Sequence, residues 1–179
     1  RRQSHLGAYD MSTVFFFLIQ LTILAYAFVG GVFLAFSDFV MRSLASTGGH
    51  GGVEAMQVIN REVFRWVFML LFLGMAPVSL AIAAYGIFGL SGPAGTLIMF
   101  AGLVYLIGCF GVTVFCNVPM NEALAGMDVF NEATRDYWLK TYVPRWTFWN
   151  SVRTIACAVA AASLLFGLLW LIQDQIRTA

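Results

Sequence analysis

The chain has 179 residues, of which 60% are hydrophobic and only 11% charged. A soluble domain is nearer about 45–50% apolar and about 25% charged, so this one carries more apolar surface than a water-facing fold of its size hides. Formal charge is +1, without a basic cluster, which excludes a nucleic-acid partner and a polybasic lipid-binding tail.

Charge-free runs set the spans. No Lys, Arg, Asp or Glu lies between Asp10 and Asp38, between Arg65 and Glu122, or between Arg153 and Asp174. A bilayer-crossing helix needs about 20 apolar residues, so the outer runs hold one span each and the middle run two. Helices are predicted near 12–37, 64–89, 95–117 and 148–173. The first run, Val14 to Phe36, is longer than the core of a leader peptide, and Phe36-Ser37-Asp38 is a poor cleavage site, so it reads as a retained span. Gly89, Ser91, Gly92, Pro93 and Gly95 mark a tight turn inside the middle run. The runs lack the period-2 alternation of a membrane barrel. The expected fold is therefore an all-α integral membrane protein, a four-transmembrane-helix bundle forming a single membrane domain over 1–179.

Four spans place both termini and the Gly92 turn on one side, and the long connections on the other. Polar helical connections are thus gathered at one end of the bundle. Val53 to Arg65 has helical spacing and is expected to run straight into the second span, while Asp128 to Val143 reads as amphipathic, with Pro144 opening the fourth helix. Ala27, Gly31 and Ala35 in the first span, and Ala156, Ala160, Ser163 and Gly167 in the fourth, are expected helix contacts. Pro77 should kink the second span, and Pro119 should end the third near Asn117. Cys109, Cys116 and Cys157 read as packing residues, with no disulfide framework. Arg42, Arg61, Arg65, Arg135, Lys140 and Arg145 outnumber Arg1, Arg2 and Arg177, which points the polar end to the cytoplasm. Met11 is an alternative start that would delete Arg1 and Arg2.

Ionisable and amide side chains near this end carry any chemistry. At roughly 100° per residue, Trp146, Asn150 and Arg153 share about one 60° sector, so an indole, an amide and a guanidinium face one way. A buried arginine in a span is by default a functional-site hypothesis; the plainer reading has Arg153 snorkel to headgroups while Trp146 and Trp149 form an interfacial belt. Asn117 and Asn121 stand one turn apart before Glu122, and either face a ligand or cap a helix end. Gln57 and Asn60 open the second span. Asp38 either pairs with Arg153 or Arg61 or is desolvated as a proton acceptor. His50 sits between glycines without the companions a metal needs, since His5 is remote. No metal site is expected, and no Walker loop, dinucleotide fingerprint, nucleophile elbow or haem motif is present. No cofactor is evident.

Gly31-Val-Phe-Leu-Ala-Phe-Ser-Asp-Phe-Val-Met41, Ala55-Met-Gln-Val-Ile-Asn60, Thr113-Val-Phe-Cys-Asn-Val-Pro-Met-Asn121 and Trp146-Thr-Phe-Trp-Asn-Ser-Val-Arg153 resemble the anthrone oxygenase-like membrane proteins (domain of unknown function 1772). The likeness runs from about Ser12 to Leu171, and its specific parts are Asn-x-Pro-x-Asn and Trp-Asn-x-x-Arg. The resemblance implies a four-span protein with fungal relatives that oxidise polyketide anthrones to anthraquinones, with molecular oxygen as co-substrate and neither metal nor flavin evident. On that reading a small planar aromatic ligand enters from the lipid bilayer and stacks near Trp146 or Trp149. Asp38, Glu122 or His50 removes a ring-carbon proton, and Arg153 with Asn117, Asn121 and Asn150 stabilises the anion. The expected location is a bacterial inner (plasma) membrane. The competing class is a non-catalytic accessory subunit, docked through its polar end in a larger membrane protein complex or a homo-oligomer.

Overall fold

The structure, a computed structural model, describes residues 13–48, 50–65 and 67–178. Arg1, Arg2, His5 and Met11, which entered the orientation, metal and start readings, lie outside the described residues. Four helical rods are long and apolar enough to cross a membrane: α1 (Thr13–Ala45), α3 (Val67–Phe88), α4 (Gly92–Ala125) and α5 (Glu132–Arg177). A shorter helix, α2 (Gly51–Glu62), follows α1. No strand occurs among the described residues.

Three of the rods outrun their predicted ends. The third continues past Asn117 to Ala125, because a wide π-helical turn over Thr113–Asn117 precedes Pro119 and is closed by the Val118 N–H on the Thr113 carbonyl. The chain has already left α register where proline lacks its donor, so the helix absorbs the loss. Similar wide turns occur over Phe36–Val40 and Trp138–Tyr142, near the polar ends of α1 and α5, and over Tyr105–Gly111, inside the third predicted span. Pro77 stands inside α3 without ending it.

The segment Val53 to Arg65 does not run straight into the second span. α2 stops at Glu62, and a turn closed by Val63 N–H on Ile59 O and Arg65 N–H on Glu62 O redirects the chain. The physical reason is a change of face: α2 is amphipathic, with Val53 and Met56 buried, whereas α3 is apolar all round. Continued along α3, its polar face would meet lipid; folded across the end of the bundle, that face meets water.

In the bundle α5 packs on both α1 and α4, and α3 packs on α4 and α1, which closes the ring. The α3–α4 crossing needs glycine: a Cβ on Gly86 would stand 2.4 Å from the Met99 nitrogen, and one on Gly102 would stand 2.4 Å from the Ser79 carbonyl. Their connecting turn holds Gly92 at φ +71°, a conformation glycine adopts without strain. The α5 stripe Ala156, Ala160, Ser163 and Gly167 is buried as predicted, but Ala27 and Gly31 of α1 are exposed. α1 instead approaches through Gly30, where a Cβ would come within 2.9 Å of Cys157 Cβ. Cys109 and Cys157 are free thiols with sulfurs 3.4 Å apart, packed in the core.

Polar groups deep in the bundle are paired between helices, as hydrocarbon surroundings require. Tyr26 and Tyr105 stack at 4.6 Å; the Tyr26 hydroxyl shares a 2.6 Å hydrogen bond with Ser79 Oγ, and Tyr105 donates to the Phe72 carbonyl. A second cluster, Met41, Val53, Met56, Leu124, Trp138, Tyr142 and Trp146, draws its members from α2 and from the extensions of α1, α4 and α5. The connections are therefore gathered at one end, and the cluster forms its floor.

Candidate functional site

Between that floor and the apolar core lies a cavity of about 220 Å³, to which all five helices contribute. Phe33 and Phe36 come from α1, Asn60 from α2, Phe68 and Phe72 from α3, Phe110, Thr113 and Asn121 from α4, and Trp146 and Arg153 from α5. Phe64, Leu73 and Val114 line it too and are exposed, so they mark its open, lipid-facing side. The walls are mostly apolar, with seven aromatic side chains among the described lining residues, and the volume lies below the about 300–1,000 Å³ of typical drug-sized pockets, so a compact, flat ligand suits it.

Among the described residues Arg153 is the one ionisable group that lines the cavity. Only 4% exposed, it does not snorkel. Nη1 donates to Thr113 Oγ1 at 3.2 Å and Nη2 to Asn150 Oδ1 at 2.6 Å, while Nε has no hydrogen-bond partner. The guanidinium carbon lies 4.0 Å from the Phe33 ring centre and 5.3 Å from that of Trp146. These contacts are polar or cation–π, and none supplies a negative charge.

Asn150 explains how the cation is held. Its Nδ2 donates to the Phe33 carbonyl and to Ser37 Oγ, both at 2.6 Å, so its Oδ1 is fixed toward Arg153. Two amides from α4 anchor Trp146: Asn117 Nδ2 donates to the Trp146 carbonyl, and Asn121 Oδ1 accepts from the Trp146 indole N–H at 2.8 Å. Asn117 is fully buried, and its Oδ1 has no hydrogen-bond partner. Tyr142 donates to the same Asn121 oxygen at 2.8 Å and accepts from Asn60 Nδ2 at 3.4 Å.

Of the residues singled out from sequence, the structure brings Asn60, Asn121, Trp146 and Arg153 to the cavity wall and sets Asn117 and Asn150 directly behind it. The others stand apart. Asp38 is exposed and pairs at 3.8 Å with Arg42 rather than with Arg153 or Arg61, because the wide turn over Phe36–Val40 carries it outward. Glu122 is exposed on the outer side of α4. His50 is exposed and lies against Phe130 at 4.7 Å. Gln57 ties α2 to the Leu124 and Met127 carbonyls, and Trp149 is half-buried with its edge contact to Phe148. None of the three proposed proton acceptors lines the cavity.

Thr113 and Tyr142 escaped the sequence reading, although a signal existed. Thr113, Asn117 and Asn121 form a polar ladder at four-residue steps, as do Tyr142, Trp146 and Asn150, and such ladders mark one helix face. Among the described residues no group of three His, Cys, Asp or Glu side chains could hold a metal ion.

Fold and site together define a four-span helical membrane protein with a buried arginine facing an aromatic cavity at its polar end. A family model described as anthrone oxygenase matches residues 64–163, and the chain belongs to that family. The matched region takes in α3, α4 and the arginine-bearing part of α5; α1 and α2 precede it. No curated protein and no solved structure matches the chain.

Proposed function

We propose that the cavity binds a planar aromatic ketone of the anthrone type as its anion and promotes its reaction with molecular oxygen. One observation carries the reading: Arg153 is buried against a cavity that no carboxylate lines among the described residues. A desolvated cation without a counter-ion is costly, and an anionic ligand offsets that cost at the point of binding.

The same arrangement lowers the barrier to ionisation. Removing a proton from the methylene carbon of an anthrone leaves an anion whose charge resides largely on oxygen. Arg153, with Asn121 beside it, stabilises that oxygen in a water-poor setting where fixed donors act strongly. The proton leaves to water at the polar end, since Asp38, Glu122 and His50 are all outside. The ring carbon passes electrons to dioxygen and forms a carbon–oxygen bond; loss of water from the resulting hydroperoxide gives the second carbonyl. One anthrone and one dioxygen thus yield one anthraquinone and one water. Trp146 and the phenylalanine faces hold the ring system flat, and the chemistry uses only the substrate's electrons.

The bacterial inner membrane, with the polar end cytoplasmic, suits this reading, because an apolar substrate and dioxygen both partition into the bilayer beside the open flank. The test is turnover by the purified full-length chain in lipid nanodiscs, with 1,8-dihydroxyanthrone as substrate and both oxygen uptake and anthraquinone absorbance followed. The expected result is equimolar consumption and formation above the protein-free rate, lost in Arg153→Met. Equal rates with and without protein, together with a stoichiometric set of larger co-purifying membrane subunits, would support the accessory-subunit reading instead.

A further inference from the structure

The polarity of the hydrogen bonds around Tyr142 is forced. An indole N–H only donates, so the Asn121 atom 2.8 Å from Trp146 Nε1 is its carbonyl oxygen. That oxygen only accepts, so Tyr142, 2.8 Å away, spends its single hydroxyl proton there. The tyrosine oxygen is then an acceptor toward α2, and the Asn60 atom facing it at 3.4 Å is the NH₂ group. Each step fixes the orientation of the next side chain without reference to any ligand.

Two polar ends are left over, and they differ. Asn121 and Asn60 both line the cavity. Asn121 has its oxygen doubly engaged and an unused NH₂ donor; Asn60 has its NH₂ engaged and an unused oxygen acceptor. With Arg153, the cavity therefore offers donors on its α4–α5 side and an acceptor on its α2 side.

We infer that Asn60 is a specificity-determining residue that reads an un-ionised hydroxyl on the ligand, while Arg153 and Asn121 hold an ionised oxygen elsewhere on the same ring system. The ligand class is a planar phenolate or enolate bearing a second, protonated hydroxyl. This inference rests on the anionic-ligand reading above and adds the acceptor to it. Asn60 lies outside residues 64–163, the part matched by the family model, so the selective contact is supplied by α2, the helix folded across the end of the bundle. Asn60 is half-buried and a bound ligand covers it; a site that hydrogen-bonds a substrate hydroxyl discriminates against the analogue lacking it, because the covered polar group is then left unpaired.

The test uses the full chain in lipid nanodiscs with two stable probes, 2,6-dihydroxyanthraquinone and its monomethyl ether. Both keep one ionisable hydroxyl for Arg153, but only the first has a second hydroxyl to donate. Quenching of tryptophan fluorescence gives the affinities, at a pH where each probe is singly ionised. The wild-type chain should bind the dihydroxy probe about tenfold more tightly than the ether, beyond the statistical factor of two, in line with one hydrogen bond. Asn60→Leu should reduce that preference to less than twofold by weakening the dihydroxy probe. Equal wild-type affinities, or a preference that survives in Asn60→Leu, would overturn the role of Asn60 and leave the arginine reading intact. Failure of both probes to bind the wild-type chain would remove both.

Discussion

Replacing Arg153 by methionine separates the two roles an intramembrane arginine can have. If Arg153 is a strut, its loss unfolds the bundle; if it is a ligand counter-ion, its loss spares the bundle and empties the site. The structure sets the balance. A charge at the helix centre costs about 2.5–3.5 kcal/mol. Against this stand two charge-assisted hydrogen bonds, to Thr113 and Asn150, at about 1.5–3 kcal/mol each, and ring contacts with Phe33 and Trp146 at about 0.5–2 kcal/mol. Thr113 Oγ1 keeps its bond to the Cys109 carbonyl in the variant, and Asn150 keeps both of its donor contacts. At the low end of these ranges cost and gain cancel, and at the high end the contacts win by about 5 kcal/mol, part of which methionine returns through its own apolar packing, so Arg153→Met should lower unfolding free energy by about 0–3 kcal/mol, including the Asn150 Oδ1 it leaves without a donor. Anion binding has no such compensation: deleting one preorganised donor to an oxyanion typically costs about 2.7–4 kcal/mol, or about 10²–10³-fold. Affinity for 2,6-dihydroxyanthraquinone and thermal unfolding, measured on the same nanodisc preparation, should therefore fall out of step. Arg153→Lys should recover part of the affinity, because it restores charge without the planar fork. Affinity in Arg153→Met within threefold of wild type would refute the counter-ion argument. So would collapse of the fold in both variants, which would make the arginine a strut.

Other outcomes follow from what the cavity excludes. Asp38→Asn, Glu122→Gln and His50→Gln should each leave anthrone turnover within about twofold, since all three side chains are exposed; a hundredfold loss in any of them would mean that it reaches the substrate. Gly30→Ala should destabilise the bundle by about 1–3 kcal/mol, because its new methyl would lie 2.9 Å from Cys157 Cβ. Gly31→Ala faces open space and should be neutral or stabilising by up to about 1 kcal/mol. Thermal unfolding of the pair in matched detergent checks the side on which α1 packs.

Span number was legible because missing charge is a direct signature of hydrocarbon, and so was the collection of polar connections at one end. The α5 stripe and the partnership of Trp146, Asn150 and Arg153 were also readable, since residues 143–178 are one regular helix in which angular arithmetic holds. That arithmetic failed where wide turns intervene. Each adds about one residue per turn and rotates everything beyond it, which is why Asp38, expected to pair with Arg153 or Arg61 or to be desolvated, instead faces water beside Arg42. The same limitation applied to α1, where a one-residue change, Gly30 for Gly31, swaps the packed face for the lipid face. Tyr142 was missed for a different reason: its four-residue steps to Trp146 and Asn150 mark its helix face, but the partners on α2 and α4 that give it a role are brought to it by tertiary folding.

Asn121→Asp provides the sharpest test of whether this site trades stability for binding. The substituted carboxylate keeps the shape of the amide, and one oxygen still accepts from Tyr142 and Trp146. What changes is the other end, where an NH₂ donor becomes an anionic oxygen in the cavity that Arg153 lines. The protein then supplies the counter-charge its own sequence withholds. If the arginine is held uncompensated to receive a ligand anion, the variant should be at least as stable as wild type, since a buried cation has gained a partner. It should also bind 2,6-dihydroxyanthraquinone about 100-fold more weakly, because a donor is lost and the ligand must displace or repel a resident carboxylate. Asn121→Leu is the control: it loses the donor without adding charge, and should weaken binding by only about tenfold while lowering stability through the unpaired Trp146 and Tyr142 donors. Opposite movement of stability and affinity in Asn121→Asp is an outcome that a purely structural arginine does not produce. Unchanged affinity in that variant would mean that the ligand's charge lies elsewhere.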